Sequence, residues 1–200
     1  MPSLPINSQL AIGICDIPNA FSNGVFNVGA IDKAIQGLPG IRVDELKLVD
    51  LMFCACHCNG VYLFCDPEGV LLDRITKPLN SVQPTSDVVY VGKSSSRSLV
   101  ERIAAHFAPR DWDFMNTLMK RITQVVKGSV TNQTICESYE IAEKLYLKII
   151  YFDVCDDDKI PTSNIGKLER DLIRSYRPIL NSIPGYRNKG KSVKGISKKK

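Results

Sequence analysis

The chain has 200 residues, enough for one domain with appendages or for two small domains. Hydrophobic residues make up 44% of the chain, which suits a buried core, but no apolar run approaches the length of about 18 residues that a membrane span needs. The net charge of +5 averages a basic C-terminus with a slightly acidic remainder, and the seven irregularly spaced cysteines argue against a disulfide framework.

Residues 1–58 read as an N-terminal extension that is partly helical. Prolines and glycines interrupt the first 25 residues and leave room for one short strand at residues 10–15. The spacing of apolar residues then predicts helices over residues 28–38 and 43–53. No basic segment followed by an apolar one opens the chain, so we expect a protein that is not secreted and that is cytoplasmic or nucleoid-associated.

The run Cys54-Ala55-Cys56-His57-Cys58 has the residue types of a zinc site. Structural zinc sites usually use separated pairs such as C-x2-C, whereas these residues alternate at intervals of one. No second cluster of cysteine and histidine follows. Small buried side chains that lead into a strand explain the run better than zinc does.

Two short apolar runs with tyrosines predict neighbouring strands. The first begins with Gly60-Val61-Tyr62, and the second is Val89-Tyr90-Val91-Gly92-Lys93. Two such strands side by side would bring two phenols together near a cation, where they could polarise a water. The alternative is that both are ordinary strand tyrosines, half-buried with wet hydroxyls. Residues 73–87, which contain Pro78 and Pro84, read as an inserted loop between the strands.

A helix is predicted over residues 97–107, with Ser95, Ser96 or Ser98 available as its N-cap. Arg102 and His106 are four residues apart and would share one face. Their alternative roles are a surface arginine and a histidine that interacts with the helix dipole.

Further downstream the sequence predicts two helices, a strand and a last helix, at residues 114–126, 135–144, 145–154 and 167–177. The acidic run at residues 156–158 reads as a solvated turn rather than a metal site. Glu169 is the central acid of the last helix, which Pro178 ends, and Asn181 follows. Glu169 could equally be a plain exposed acid.

The order of these residues resembles the GIY-YIG nuclease family. The two tripeptides that name the family read Gly60-Val61-Tyr62 and Tyr90-Val91-Gly92 here, and the helix with Arg102 and His106 follows the second. The segment from Leu168 to Asn181 resembles the metal-binding helix and closing asparagine of the family. The resemblance implies an α+β fold over residues 59–186, with a small three-stranded antiparallel sheet flanked by helices.

The resemblance also implies roles for individual residues. Glu169 would bind Mg²⁺ (or Mn²⁺), and Arg102 would pair with phosphate oxygens. Tyr62 would act as base or orient the water, with Tyr90 beside it. His106 and Lys93 would lower the pKa of the tyrosine or relay its proton, and Asn181 would hold the site together through hydrogen bonds.

The C-terminal residues 187–200 form a tail that is rich in Gly and Ser and contains no acid, and we expect it to be disordered. The rest of the chain then holds 19 basic and 21 acidic residues. A basic tail typically binds a polyanion, most often DNA or RNA, although it could also be only a solubilising terminus. Its seven cations are Arg187, Lys189, Lys191, Lys194, Lys198, Lys199 and Lys200.

Three functions remain open at this point. The first is a metal-dependent endonuclease that hydrolyses DNA phosphodiester bonds. The second is a nucleic-acid-binding module that retains the nuclease fold without activity, and the third is a protein-interaction domain whose tail binds any polyanion. Convergence of Tyr62, Tyr90, Arg102 and Glu169 in the fold would discriminate against the third.

Overall fold

A computed structural model gives the fold and describes residues 9–47, 58–75, 86–95, 98–107, 118–126, 132–152 and 162–182. Some predicted features lie outside these ranges. They are the end of the second N-terminal helix, most of the cysteine run, the centre of the inserted loop at residues 76–85, the acidic run at residues 156–158 and the basic tail.

The described ranges contain both strands and helices, in an order that does not strictly alternate. The strands are β1 (Ala11–Gly13), β2 (Phe21–Ser22), β3 (Val25–Phe26), β4 (Ile41–Arg42), β5 (Asn59–Cys65), β6 (Val88–Ser94) and β7 (Tyr146–Phe152). The helices are α1 (Val28–Gly37), α2 (Leu99–Ala104), α3 (Leu118–Val126), α4 (Asn132–Glu143), α5 (Thr162–Tyr176) and α6 (Ile179–Ser182). None of the helices in the described ranges is long and apolar enough to cross a membrane.

The main sheet has five strands and is mixed, so the prediction of a three-stranded antiparallel sheet was wrong in size and in direction. The strand order is β1-β7-β5-β6, and β4 also pairs with β7. The three predicted strands form its antiparallel part: β5 pairs with β6 on one side and with β7 on the other, and β6 is an edge strand. The α+β class and the neighbouring positions of the two tyrosine strands are confirmed.

The two additional strands come from the N-terminal residues and lie end to end along the outer edge of β7. β1 runs parallel to β7, with Ala11 opposite Ile149, and β4 runs antiparallel, with Ile41 opposite Leu147. β1 lies within the short strand predicted at residues 10–15, whereas β4 has only two residues, too few for an alternating pattern to be visible in sequence. Pairing covers an edge of β7 that would otherwise expose unpaired backbone groups.

The N-terminal helix predicted over residues 28–38 is confirmed as α1, but the helix predicted over residues 43–53 was wrong in its described part. Val43–Glu45 form a single 3₁₀ turn, and Leu46 is extended. The Val43 N–H donates to the carbonyl of Leu145, 2.9 Å away, which fixes the segment to the start of β7. This tertiary contact overrides the local helical pattern.

Both faces of the sheet are covered, which explains why β5, β6 and β7 are nearly continuous apolar runs. Tyr62, Phe64 and Tyr90 point to one face, where α2, α3, α4 and α6 supply the rest of a hydrophobic core. Val61, Leu63 and other residues on the opposite face pack against α1 and α5. We call these the tyrosine face and the α5 face.

Candidate active site

Tyr62 lies at the centre of a buried aromatic group on the tyrosine face. Its side chain is fully buried, and its hydroxyl lies 2.6 Å from Nε2 of His106. The rings of Tyr62, Tyr90 and His106 lie near one another, with centroid distances of 5.4–6.3 Å. The alternative of a half-buried tyrosine with a wet hydroxyl is therefore wrong for Tyr62.

His106 is held by hydrogen bonds at both ring nitrogens. The backbone N–H of Leu118, the first residue of α3, donates to Nδ1 over 3.0 Å. Burial, followed by the charges of Arg102 and Arg121, lowers the pKa of His106 to about 3, so the ring is neutral at physiological pH. A neutral ring that accepts at Nδ1 carries its proton on Nε2, and His106 therefore donates to the Tyr62 hydroxyl.

The two phenols are neutral at rest. Burial raises the pKa of Tyr62 well above its usual value, and the neighbouring Tyr90 raises it further, whereas Arg102 lowers it. Burial also raises the pKa of Tyr90, against the charges of Arg121 and Arg102, which lower it. Both hydroxyls thus keep their protons until a further charge enters the site.

The glycines of the two tripeptides lie where other atoms come too close to the backbone for a side chain to fit. A Cβ on Gly92 would lie 2.4 Å from the Tyr62 hydroxyl oxygen, so the phenol rests directly on the backbone of β6. A Cβ on Gly60 would lie 2.2 Å from the carbonyl oxygen of Ile150 on β7. Any larger residue at either position would push the strands or the phenol away.

Arg102 lies on α2, whose N-cap is Ser98: the Ser98 hydroxyl accepts from the N–H of Glu101 over 3.2 Å. The helix ends at Ala104, so His106 lies in the turn that follows rather than within the helix as predicted. Arg102 is half-buried, and its guanidinium acts on Tyr62, on Tyr90 and on His106. The charge of Arg102 therefore influences the pKa of each of these three rings, and we call the four side chains the electrostatic unit.

Arg121 belongs to the same unit, although it was not among the predicted site residues. Its Cζ lies 5.5 Å from the centroid of the Tyr90 ring, a cation–π distance, and its Nη1 donates to the carbonyl of Leu180. The sequence feature that could have identified Arg121 is its position beside Leu118 and Val125 on the apolar stripe of α3, because a cation among apolar residues needs a partner.

Asn181 binds the exposed edge of β6 at the residue between Tyr90 and Gly92. Its Oδ1 accepts from the Val91 N–H over 2.7 Å, and its Nδ2 donates to the Val91 carbonyl over 2.8 Å. The side-chain amide thereby replaces a neighbouring strand and fixes α6 against β6. The role of Asn181 in the active site stays a prediction.

Lys93 and Glu169 form an ion pair on the α5 face. The Nζ of Lys93 lies 3.2 Å from Oε2 of Glu169, and the two side chains are 33% and 21% exposed. Burial is the main cause of the raised pKa of Tyr90, and the charge of Glu169 raises it further. The predicted residues thus form a buried aromatic group and a half-exposed ion pair, linked electrostatically at β6.

A family model described as GIY-YIG catalytic domain matches residues 60–198, well over half of the chain. The chain belongs to the GIY-YIG family. The searches of curated proteins and of solved structures gave no match. Membership supports nuclease activity.

Within this GIY-YIG domain, Glu169 is suited to a hard divalent cation. Mg²⁺ is commonly held by one or two carboxylates, with waters and substrate phosphates completing its shell. Glu169 is partly exposed and already faces a cation, and the described residues contain no cluster of three or more His, Cys, Asp and Glu side chains. Glu169 alone could supply one carboxylate ligand to such an ion.

Proposed function

We propose that the protein is a metal-dependent endonuclease that hydrolyses phosphodiester bonds of DNA. The observation that carries this proposal is the convergence of side chains from separate segments of a GIY-YIG domain. Tyr62, Tyr90 and His106 form one contact group, Arg102 acts on all three, and the charge of Glu169 reaches Tyr90. This convergence is the feature that favours a nuclease over a protein-interaction domain.

Arg102 and Lys93 are the cations that receive the phosphate in this proposal. The planar fork of Arg102 matches two phosphate oxygens, and its charge stabilises the extra negative charge of the transition state. Lys93 is held by a half-exposed ion pair with Glu169, and such pairs contribute little stability, so its ammonium can exchange one anionic partner for another.

Glu169 would hold the Mg²⁺ or Mn²⁺. When bound, the metal supplies charge neutralisation at phosphorus and at the leaving oxygen. The carboxylate lies at the surface, where a hydrated ion can exchange waters for phosphate oxygens.

The tyrosines orient the attacking water. Because both phenols are neutral at rest, Tyr62 serves as a hydrogen-bonding group that fixes the direction of the water, and no proton transfer is assigned to it. His106 cannot take the proton of Tyr62, since the only lone pair of its ring faces the Leu118 amide. Instead its Nε2–H stabilises charge on the Tyr62 oxygen.

Arg121 and Asn181 are positioning residues in this mechanism. Arg121 stacks on Tyr90 and bonds α6, while Asn181 fixes Val91 next to Tyr90. Together they hold the second tyrosine at a fixed distance from the first. The basic residues of the tail, which lie outside the described ranges, would add phosphate contacts that do not depend on sequence.

The test is cleavage of supercoiled plasmid and of branched DNA with Mg²⁺, with Mn²⁺ and with a chelator. We expect cleavage only with metal, and a loss of about a hundredfold or more in Tyr62→Phe, which removes the hydroxyl and keeps the ring. A protein that binds these DNAs but cleaves none of them with either metal would be the alternative, a non-catalytic binding module.

A further inference from the structure

Helix α5 carries a row of cations on its solvent side, which we call the α5 ridge: Lys167, Arg170, Arg174 and Arg177. All four are exposed. Their spacing of three, four and three residues places them in one stripe along the helix. The opposite side of α5 is buried against the sheet through Ile165, Leu168 and Leu172.

The α5 ridge begins at the candidate active site. A Cβ on Gly166 would lie 2.7 Å from Nζ of Lys93 and 3.7 Å from Nη1 of Arg170, so both cations lie over this glycine. Glu169, the partner of Lys93, is one turn further along the same helix. A glycine within a helix is destabilising relative to alanine, and here its missing side chain leaves the space that the Lys93 ammonium needs.

The charges of the α5 ridge remain available to a partner. Arg174 pairs with Asp171 over 3.3 Å, but its side chain is 78% exposed and that of Asp171 is 26% exposed. Exposed pairs at this spacing contribute little and are easily exchanged. The ridge therefore presents a row of guanidinium and ammonium groups to solvent.

Arg177 occupies a backbone position that favours glycine. Its φ is +49°, in the left-handed region, where the chain leaves α5 after a last hydrogen bond from the Arg177 N–H to the carbonyl of Ile173. Glycine is the usual residue in this conformation at the end of a helix. Arg177 is exposed, so packing does not explain why an arginine is found there.

We propose that the α5 ridge binds the sugar–phosphate backbone of DNA next to the cleavage site. This inference rests on the proposed function, because it assumes that the scissile phosphate lies at Lys93 and Glu169. The ten residue steps from Lys167 to Arg177 rise about 15 Å, which matches the rise of about four nucleotides in one DNA strand. Arginine forks suit phosphate oxygens, and such contacts position a duplex without reading its sequence.

The test compares two triple variants with the same change in charge. The ridge variant carries Lys167→Gln, Arg170→Gln and Arg174→Gln. The control carries Lys33→Gln, Arg74→Gln and Lys144→Gln, three exposed cations outside α5. Binding to a DNA duplex is measured at several salt concentrations with a chelator present. We expect the ridge variant to bind at least about tenfold more weakly with a flatter salt dependence, and the control to stay near the wild type.

Arg177→Gly separates binding from folding. Glycine relieves the left-handed backbone, so the melting temperature should stay the same or rise, while DNA binding weakens. Unchanged binding in both Arg177→Gly and the ridge variant would overturn the proposal.

The outcomes for the ridge and for the nuclease can be told apart. If the wild type cleaves DNA and the ridge variant binds like the control, the ridge proposal fails and the nuclease proposal stands. If the wild type never cleaves but the ridge variant loses binding, the ridge stands as a DNA-binding surface, its place beside a cleavage site fails, and so does the nuclease proposal. A wild type that does not bind DNA overturns both.

Discussion

The two halves of the candidate site differ most in their contact with water. On the tyrosine face, Tyr62, Tyr90 and His106 are 0%, 5% and 2% exposed. On the α5 face, Lys93 and Glu169 are about one third and one fifth exposed. The buried half holds neutral groups with hydrogen bonds in fixed directions, and the exposed half holds two opposite charges.

This division matches what each half would bind in the proposed function. A hydrated cation and a phosphate must exchange water for protein ligands, which requires charged groups at the surface. A phenol that orients a water needs a fixed direction, which burial and hydrogen bonds provide. Arg102 acts on the aromatic group while remaining half-buried, so it is the residue that joins the two environments.

The largest loss of cleavage is expected from a substitution in the exposed half of the site. Glu169→Gln keeps the size of the side chain but removes its charge, so the site should lose its hold on the metal. We expect metal-dependent cleavage to fall by about a thousandfold. DNA binding should persist or tighten slightly, because a negative group near the phosphate is gone.

The matched control for this variant is Glu140→Gln, which removes an exposed carboxylate from α4. Cleavage and gel-shift assays on the wild type and both variants give the comparison. Full-rate cleavage by Glu169→Gln would show that the metal ligand has been named wrongly.

Arg102→Ala should affect both halves. It removes a phosphate contact and a charge that stabilises the transition state, so cleavage should fall by about a hundredfold or more. Binding should weaken as well, unlike in Glu169→Gln. Arg102→Lys restores the charge without the fork and should recover binding better than cleavage. Wild-type binding by Arg102→Ala would remove Arg102 from the phosphate site.

The centre of the sheet and the order of the site residues were readable from sequence because long apolar strands and the two tripeptides carry strong local signals. Ser98, the N-cap of α2, was among the predicted alternatives because serine is a preferred residue at the start of a helix. β4 was missed because two residues have no periodicity.

Some contacts of the site could not be predicted from the sequence, for physical reasons. The Leu118 amide that orients His106 is a backbone group, and any residue except proline would supply it. Lys93 and Glu169 are 76 positions apart, and no charge pattern links them before the sheet and α5 meet. Gly166 was readable in principle, since a glycine inside a 15-residue helix calls for a packing reason.

A smaller effect, on DNA binding, is expected from deletion of the tail. Deletion of residues 187–200 removes seven cations, and we expect weaker DNA binding with unchanged thermal stability. The slope of log affinity against log salt should fall by about 0.9 for each phosphate that the tail no longer neutralises. Measurement of this slope for the truncated protein and for the ridge variant would separate the two basic surfaces. An unchanged slope on truncation would count against a DNA role for the tail.

The smallest expected effect is on the pH dependence of stability, and it tests the buried half of the site. The pKa of His106 is about 3 in the folded protein, against an ordinary value of 6.5. The unfolded chain therefore takes up this proton at a higher pH than the folded protein does, and the free energy of unfolding should fall as the pH drops from about 6.5 toward 3. The contribution of one such group is at most about 1.4 kcal/mol per pH unit.

His106→Gln removes this titration, while an amide can still accept from Leu118 and donate to Tyr62. Urea unfolding at pH 7, 6, 5 and 4 should therefore show a shallower loss of stability in the variant than in the wild type, because the carboxylates that titrate in the same range are common to both. His57→Gln, which changes the other histidine, serves as the control. Equal slopes in the wild type and His106→Gln would mean that His106 is readily protonated in the folded protein. In that case its ring could also accept a proton from Tyr62, and the division between a neutral buried half and a charged exposed half would be wrong.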